Sequence, residues 1–219
     1  FMHTDLSFSR GRTNLHTITQ AATLHAYTGP IMADYAAYTC ASTIAELAED
    51  LTQNSAGTTE LYTLTHGAFA TLAHAQHTPQ RVLTRYLARA MDRSGWPLIG
   101  ERCTRCGTPL TPEATAREGT AEAPGRYLAF HTAHTYGQYT VLCPKCAPAT
   151  DAPLTALTAE DLAYALAAAS PNPSAWETID AAPRGTADKI LKLYLATTQN
   201  LLEHPLKTLG ALEAETPAK

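Results

Sequence analysis

The chain has 219 residues, of which 45% are hydrophobic and 16% are charged. This composition predicts a globular protein and excludes a disordered chain. The net charge of −4 and the isoelectric point near 6.1 argue against a protein whose whole surface binds nucleic acid, so any such contact must be local. No apolar run reaches the roughly 18 residues that suggest a membrane span, and no secretory signal is recognisable. We therefore expect a cytoplasmic protein without membrane contacts.

The first elements predicted along the chain are two strands. The stretch HTDLSFSRGRTNLHTIT alternates apolar and polar residues around Gly11, which indicates two short strands joined by a turn. Two strands are not a stable unit by themselves. From Thr19 onward the pattern becomes helical, and this first predicted helix ends at Gly29 and Pro30.

Further segments carry the apolar spacing of helices that bury one face. Before residue 98 they are a helix over about 31–51, one with an apolar side of Leu61, Leu64, Ala68, Leu72 and Ala75, and one with an apolar side of Leu83, Leu87, Ala90 and Met91. Thr78 as N-cap and Pro79 in the first turn predict the start of the last of these, and Gly95 its end. After residue 150, Thr158 begins another helix, and a final one is predicted from about Thr186 to His204.

Four of the five cysteines form two C-x-x-C pairs, Cys103 with Cys106 and Cys143 with Cys146. Two such pairs provide four thiolates for one tetrahedral zinc ion, and they leave no open position for water, so the predicted role is structural. Gly107 is expected to adopt a positive φ, and YLAFHTAHTYGQYTVLC is expected to form a hairpin that delivers the second pair. The alternative is two unrelated pairs of buried thiols.

Other metal-binding and catalytic interpretations are weaker. His131 or His134 is an alternative ligand in place of one thiol, and the remaining cysteine, Cys40, is most simply a core thiol. The histidines of the third helical region are interpreted as packed or solvated; they are His66, His74 and His77. No histidine is followed two residues later by glutamate, which excludes the nucleobase deaminase signature. Since no acid, base or nucleophile constellation accompanies the cysteines, we expect a protein that is not an enzyme. The acidic stretch 113–125 is predicted to be a mobile loop.

Basic residues concentrate on one predicted helix. Arg81, Arg85, Arg89 and Arg93 recur every four positions and predict a basic stripe largely opposite the apolar side of that helix. Arginine favours forked contacts with phosphates or carboxylates, so a nucleic-acid contact is one interpretation of this stripe. An ordinary solvated face is the other, because Asp92 shares that side.

Three stretches resemble the bacterial recombination mediator family RecO. SRGRTNLHTITQAATL at 9–24 is similar to that family's G-R-x-L-x-x-x-T-Q junction, where an N-terminal OB fold meets a helical domain. CTRCG, followed by AFH and VLCPKC, resembles its zinc-binding segment. HPLKTLGAL at 204–212 resembles its C-terminal L-K-S element, with Thr208 in place of serine. The resemblance implies that residues 1–18 are the last strands of an OB fold whose earlier part is absent from this chain, and that Arg10 and Arg12 belong to its groove.

The resemblance also implies a function. It predicts a bacterial, nucleoid-associated mediator of DNA recombination and of the repair of DNA damage, which binds and anneals single-stranded DNA. The implied protein partners are RecR and the acidic tail of single-stranded DNA-binding protein, and RecA is loaded indirectly. That tail ends in an aromatic residue, and the last predicted helix is one candidate receptor, with Ile190, Leu191, Tyr194, Leu201 and Leu202 beside Lys189, Lys192 and Lys207. The alternative for this helix is a core face with solvated lysines.

Together these observations predict a mainly α fold: a helical bundle with an inserted C4 zinc-ribbon-like module and a remnant of two N-terminal β-strands. The predicted divisions are residues 1–18 as the OB strands and 19–97 as a first helical part. They continue with 98–150 as the zinc module and 151–219 as a second helical part. Without the resemblance, the residues indicate only a helical protein with structural zinc and a basic stripe. A C4-zinc helical interaction module or transcription regulator without annealing activity is therefore the alternative, and a zinc-dependent hydrolase is a third, more distant one.

Overall fold

The computed structural model describes residues 1–11, 15–54, 58–100, 102–110, 126–130, 139–149, 154–202 and 204–214. Helices dominate this part of the chain, which confirms the predicted mainly α class. They are α1 Thr28–Met32, α2 Tyr35–Asn54, α3 Thr58–Ala73, α4 Pro79–Arg93, α5 Ala159–Ala169, α6 Ala175–Ala181, α7 Arg184–Leu202 and α8 Leu209–Ala214. Among the described helices, none combines the length and the apolar character needed to cross a bilayer.

Helix α4 lies at the centre of the helical bundle and packs against α2, α3, α5 and α7. Its predicted apolar side is confirmed, because Leu83, Leu87, Ala90 and Met91 are completely buried. The predicted apolar side of α3 is buried as well, except that Ala75 lies beyond the end of the helix and is exposed. Gly95 has a φ of 82° directly after α4, so the expected glycine stop is confirmed.

Short side chains start two of the helices. The predicted helix over 31–51 is divided into α1 and α2 at Asp34, whose Oδ1 accepts a hydrogen bond of 2.9 Å from the backbone N–H of Ala36. Thr158 starts α5 with a reciprocal capping box: its hydroxyl oxygen accepts from the N–H of Asp161, and the Asp161 carboxylate accepts from the N–H of Thr158. At both helix starts, a side-chain oxygen accepts from a backbone N–H that has no partner within the helix.

The N-terminal strands form a two-stranded antiparallel ribbon, β1 Met2–Arg10 and β2 His16–Ala26. The predicted helix from Thr19 is wrong, because β2 remains paired with β1 as far as the partners Met2 and Ala26. The expected boundary at residue 18 therefore falls inside a strand. Backbone pairing along the whole of β1 outweighs the weak helical spacing of TQAATLHAY, since local propensity is only a small term.

The base of the ribbon is attached to the helices, whereas much of its length is exposed. The Phe1 ring packs edge-on against Phe69, at 5.2 Å between centroids, and its carbonyl accepts a hydrogen bond of 3.1 Å from the N–H of Tyr27. Apolar side chains along both strands nevertheless face solvent: Met2, Leu6, Phe8, Ile18 and Leu24 are between 41% and 58% exposed.

A three-stranded antiparallel sheet follows the first cysteine pair. Its strands are β3 Arg126–Phe130, β4 Tyr139–Leu142 and β5 Leu154–Leu157, in the order β4-β3-β5. The predicted hairpin is confirmed by the pairing of β3 with β4, whereas β5 was not predicted. The predicted mobile loop at 113–125 lies outside the described residues.

Candidate metal centre and arginine cluster

The first cysteine pair lies in a tight knuckle. Arg102 and Pro109 form a β-bridge, and between them the N–H of Gly107 donates a hydrogen bond of 2.8 Å to the Cys103 carbonyl. Gly107 has a φ of 71°, as expected, a conformation that glycine adopts without steric cost. This turn brings Cys103 and Cys106 to one side of the knuckle.

The second pair begins directly after β4. Cys143 and Cys146 form a helical turn, in which the N–H of Cys146 donates to the Cys143 carbonyl at 3.0 Å. The two knuckles are joined by Thr104, whose N–H and hydroxyl both donate to the carbonyl of Val141 on β4, at 3.1 and 3.2 Å. The hairpin therefore presents the second pair to the first.

The four sulfur atoms lie within 4.8 Å of one another. The Sγ atoms of Cys106 and Cys143 are 3.7 Å apart. Ligands about 2.3 Å from a tetrahedral zinc ion are about 3.8 Å from each other, so this separation fits a zinc site. Cys103 and Cys143 are buried, Cys146 is partly buried and Cys106 is exposed.

The pKa values of the thiols diverge because each sulfur has different hydrogen-bond donors and a different degree of desolvation. Hydrogen bonding from the Thr108 hydroxyl and backbone N–H lowers the pKa of Cys106 to about 6, whereas desolvation followed by the neighbouring sulfurs raises the pKa of Cys146 to about 12. Burial acts to raise the pKa of Cys103, but N–H groups from Cys143, Cys106 and Arg105 outweigh it, and the net pKa is lowered. Four adjacent thiolates repel one another, and a divalent cation would remove this repulsion. The cluster therefore fits a metal ion.

The four arginines of α4 do not form the expected exposed stripe. Arg85 is 6% exposed, and its guanidinium donates to the carbonyls of Ala167 and Asn172 at 2.9 and 3.0 Å. Arg81 donates to the carbonyls of Asp180 and Ala182, both at 2.6 Å. The acceptors lie in the last turn of α5, in the link between α5 and α6, and at the end of α6. The carboxyl ends of helices carry partial negative charge, which favours a cation there. Arg81 and Arg85 therefore hold the joint around α6 in place.

An aromatic side chain completes this joint. Trp176 stacks on His77 with 3.7 Å between ring centroids, and the guanidinium carbon of Arg85 lies 5.0 Å from the Trp176 ring centroid. His77 also hydrogen-bonds Asp180 through Nδ1 at 2.6 Å. Both histidines were predicted to be either packed or solvated: His77 is packed, and His74 is exposed to solvent. Burial, followed by the charge of Arg89, lowers the pKa of Arg85 to about 10, so its guanidinium remains charged at neutral pH.

The other two arginines border a groove of about 470 Å³ between α3, α4 and the α5–α6 joint. Arg93 is ion-paired with Glu60, and Arg89 is partly buried. Burial and then the nearby Arg93 lower the pKa of Arg89. Within the described residues, Arg89 makes no ion pair, and it lines the groove. The apolar part of the lining includes Leu64, Val82, Tyr86, Pro171 and Trp176.

The apolar side of the last predicted helix belongs to the core. Ile190, Leu191 and Tyr194 on α7 are at most 6% exposed, so they do not form an open notch, and the expected tail receptor there is wrong. Lys189 is ion-paired with the buried carboxylate of Asp161 and donates to the Ala156 carbonyl. The core-face alternative for this helix is confirmed.

The other residues singled out in the sequence lie away from the cysteine cluster and the groove, or outside the described residues. Arg10 is exposed at the end of β1, while Arg12, His131 and His134 lie outside the described residues. Cys40 is completely buried, as predicted for a core thiol. Sequence reasoning missed a grouping of His3, His25 and His66, because the strand pairing that brings the first two together was only partly recognised.

Two of the cysteines, Cys103 and Cys143, belong to the same hydrophobic core as the apolar side of α4 and Leu212 of α8. A family model described as "Recombination protein O C terminal" matches residues 32–210. This match includes both cysteine pairs, the α4 arginines and Thr208. The chain therefore belongs to the RecO family of recombination and repair proteins.

Proposed function

We propose that the protein is a non-enzymatic mediator of recombinational repair that binds and anneals single-stranded DNA and, with RecR, helps to load RecA. The single observation that carries this proposal is the family match over 32–210. We further propose that Cys103, Cys106, Cys143 and Cys146 bind one structural zinc ion, which would fix the two knuckles relative to each other.

The ribbon supports a proposal for domain organisation. We propose that β1 and β2 are the terminal strands of an OB fold and that Ala26, rather than residue 18, is its boundary with the helical part. The exposed apolar side chains of Leu6, Phe8 and Ile18 are of the kind that a closed β-barrel covers. Arg10 would lie at the edge of that domain, near bound DNA.

For the DNA contact within the helical part, the exposure of the arginines favours Arg89 and Arg93 over Arg81 and Arg85. The pair between Arg93 and Glu60 is exposed at the surface, where ion pairs contribute little, so phosphate can replace the carboxylate. Arg81 and Arg85 already donate two hydrogen bonds each to backbone carbonyls, and binding phosphate would require breaking those bonds.

The same groove supports a second binding role, capture of the tail of single-stranded DNA-binding protein. An acidic peptide that ends in an aromatic residue requires an apolar pocket with nearby cations. The groove has accessible apolar residues at Pro171, Pro173 and Trp176, and cations at Arg89 and Arg93. A single aromatic ring with charge-assisted contacts corresponds to an affinity on the order of micromolar that weakens with salt.

Strand annealing by the full-length protein tests the main proposal. Two complementary labelled strands should anneal faster with the protein than without it. No acceleration, with zinc still bound, would favour the alternative of a C4-zinc interaction module or transcription regulator.

Titration with the tail peptide tests the groove. Binding should weaken when the terminal aromatic residue is removed and when Arg89 is changed to alanine. Lys192→Ala, at an exposed position of α7, serves as the matched control. Loss of binding in K192A with normal binding in R89A would exclude the groove. The outcome is independent of the annealing measurement.

A further inference from the structure

Three histidines from three elements converge at the base of the ribbon. His3 on β1 and His25 on β2 are direct cross-strand partners, and their Nδ1 atoms are 3.1 Å apart. Their rings are stacked with a centroid separation of 5.4 Å and an interplanar angle of 7°. His66 on α3 faces this pair, with its ring centroid 4.4 Å from that of His3.

The nitrogen atoms of this cluster have the spacing of metal ligands. One nitrogen from each ring lies within 4.8 Å of the others. Nitrogens about 2.05 Å from a tetrahedral ion are about 3.3 Å apart, close to the separation of the His3 and His25 Nδ1 atoms. His3 and His66 are partly buried and His25 is exposed, so a metal ion can reach the cluster from solvent.

A hydrogen bond from a neighbouring side chain fixes the orientation of the His66 ring. Tyr27 is buried, and its hydroxyl lies 3.0 Å from Nε2 of His66. Ligating histidines commonly have one ring nitrogen fixed by such a hydrogen bond, which sets the ring orientation for the other nitrogen.

We propose that His3, His25 and His66 form a metal site, separate from the cysteine cluster, for a divalent transition ion such as Zn²⁺ or Ni²⁺. Imidazole nitrogens suit these ions, and three protein ligands leave a position for water. Because the ligands come from β1, β2 and α3, the ion would cross-link the ribbon to the helical bundle. Metal binding would therefore set the orientation of the ribbon relative to the groove-bearing helices.

Metal titration of the untagged protein tests the site. Protein loaded with only one equivalent of zinc, which the four thiolates bind first, is titrated calorimetrically with Ni²⁺. We expect one further equivalent to bind. His25→Gln, at an exposed position, should weaken this binding by more than about a hundredfold, beyond the 10–100-fold typical of a change outside the ligand set. His74→Gln, an exposed histidine at the end of α3, is the control and should bind as the wild type does.

Hydrogen exchange tests the cross-linking role separately. Addition of Ni²⁺ should slow exchange of β1 amides near His3 in the wild type and in H74Q, but not in H25Q. The proposal is overturned if no further equivalent binds, if H25Q binds as tightly as the wild type, or if binding leaves β1 exchange unchanged.

Discussion

The hydroxyl of Thr208 donates a hydrogen bond of 2.8 Å to Oε2 of Glu46, 162 positions earlier in the chain. The same carboxylate accepts from the backbone N–H groups of Thr208 and Lys207, at 3.0 and 2.8 Å. A carboxylate on α2 therefore caps the start of α8, where helix N–H groups lack partners. The C-terminal element with the family resemblance is thus fixed to the first long helix, and threonine in place of serine keeps the hydroxyl that this contact uses.

Removing the Thr208 hydroxyl should destabilise the protein modestly. Thr208→Val retains the shape but loses one hydrogen bond to a charged acceptor, which we expect to cost about 1.5–3 kcal/mol of unfolding free energy. Thr208→Ser keeps the hydroxyl and should cost less. Denaturant unfolding of the three proteins measures the difference, and equal losses in both variants would contradict a role for the hydroxyl.

The same contact predicts a dependence of stability on acidity. Burial acts to raise the pKa of Glu46, but hydrogen bonds from Lys207 and Thr208 outweigh it, so the net pKa is lowered from 4.5. A carboxyl whose pKa is lower in the folded state stabilises that state fully above its unfolded pKa, and this contribution is lost as the pH falls through the folded value. The stability difference between the wild type and Glu46→Gln should therefore be constant at neutral pH and shrink below about pH 4.5. A difference that stays constant down to pH 3 would contradict this assignment.

Helix α4 shows both what the sequence predicts and what it does not. Its start, its end and its apolar side follow from Pro79, Gly95 and the spacing of apolar residues. Thr78 occupies the predicted N-cap position, but its side chain makes no cap hydrogen bond. The burial of Arg85 does not, because a helical wheel assumes one solvent face, whereas α4 is surrounded by four other helices. The carbonyls that accept from Arg85 belong to residues more than 80 positions away, in a joint where the short helix α6 was not predicted.

The two clusters of possible metal ligands also differ in how far the sequence predicts them. The cysteine cluster is recognisable because C-x-x-C places two ligands in one local turn, and a hairpin is enough to unite two such turns. The histidine cluster depends on the register that pairs His3 with His25 and on the packing of α3 against the ribbon. No local spacing encodes that register, and the incorrect helix from Thr19 concealed it.

Loss of one cysteine ligand should separate the zinc module from the helical core. Cys143→Ser is expected to release zinc and to speed hydrogen exchange in 102–110 and 139–149, because metal binding and local folding are coupled. Helical circular dichroism should change little. Cys40→Ala also removes one buried thiol and is the matched control. It should retain zinc, and zinc retention by C143S as well would contradict the four-cysteine site.

Arg85 and Arg89 should differ in their effects on stability. Arg85→Ala removes two hydrogen bonds from a buried charged donor to the carbonyls of Ala167 and Asn172, and we expect a loss of about 1.5–3 kcal/mol for each. The two carbonyls keep their backbone donors, the N–H groups of Ser170 and Ala175. Arg85→Lys should rescue this only in part, because an ammonium lacks the planar fork that reaches two acceptors. Arg89→Ala is the control at a partly exposed site, with an expected change within about 0.5 kcal/mol. Similar losses in R85A and R89A, measured by thermal unfolding, would contradict the different roles assigned to these residues.

If Arg89 and Arg93 contact phosphate in the full-length protein, their replacement should change the salt dependence of single-strand binding. The double variant to alanine should reduce the slope of log affinity against log salt by about 1.4, or roughly 0.7 for each contact. Arg184→Ala removes an exposed cation on α7 and serves as the control for net charge.

Glu60→Gln provides a test in the opposite direction, because it removes the carboxylate that pairs with Arg93 and should increase affinity at low salt. Binding isotherms at several salt concentrations measure all four proteins. An unchanged slope in the double variant, together with no gain in E60Q, would assign these arginines to another partner.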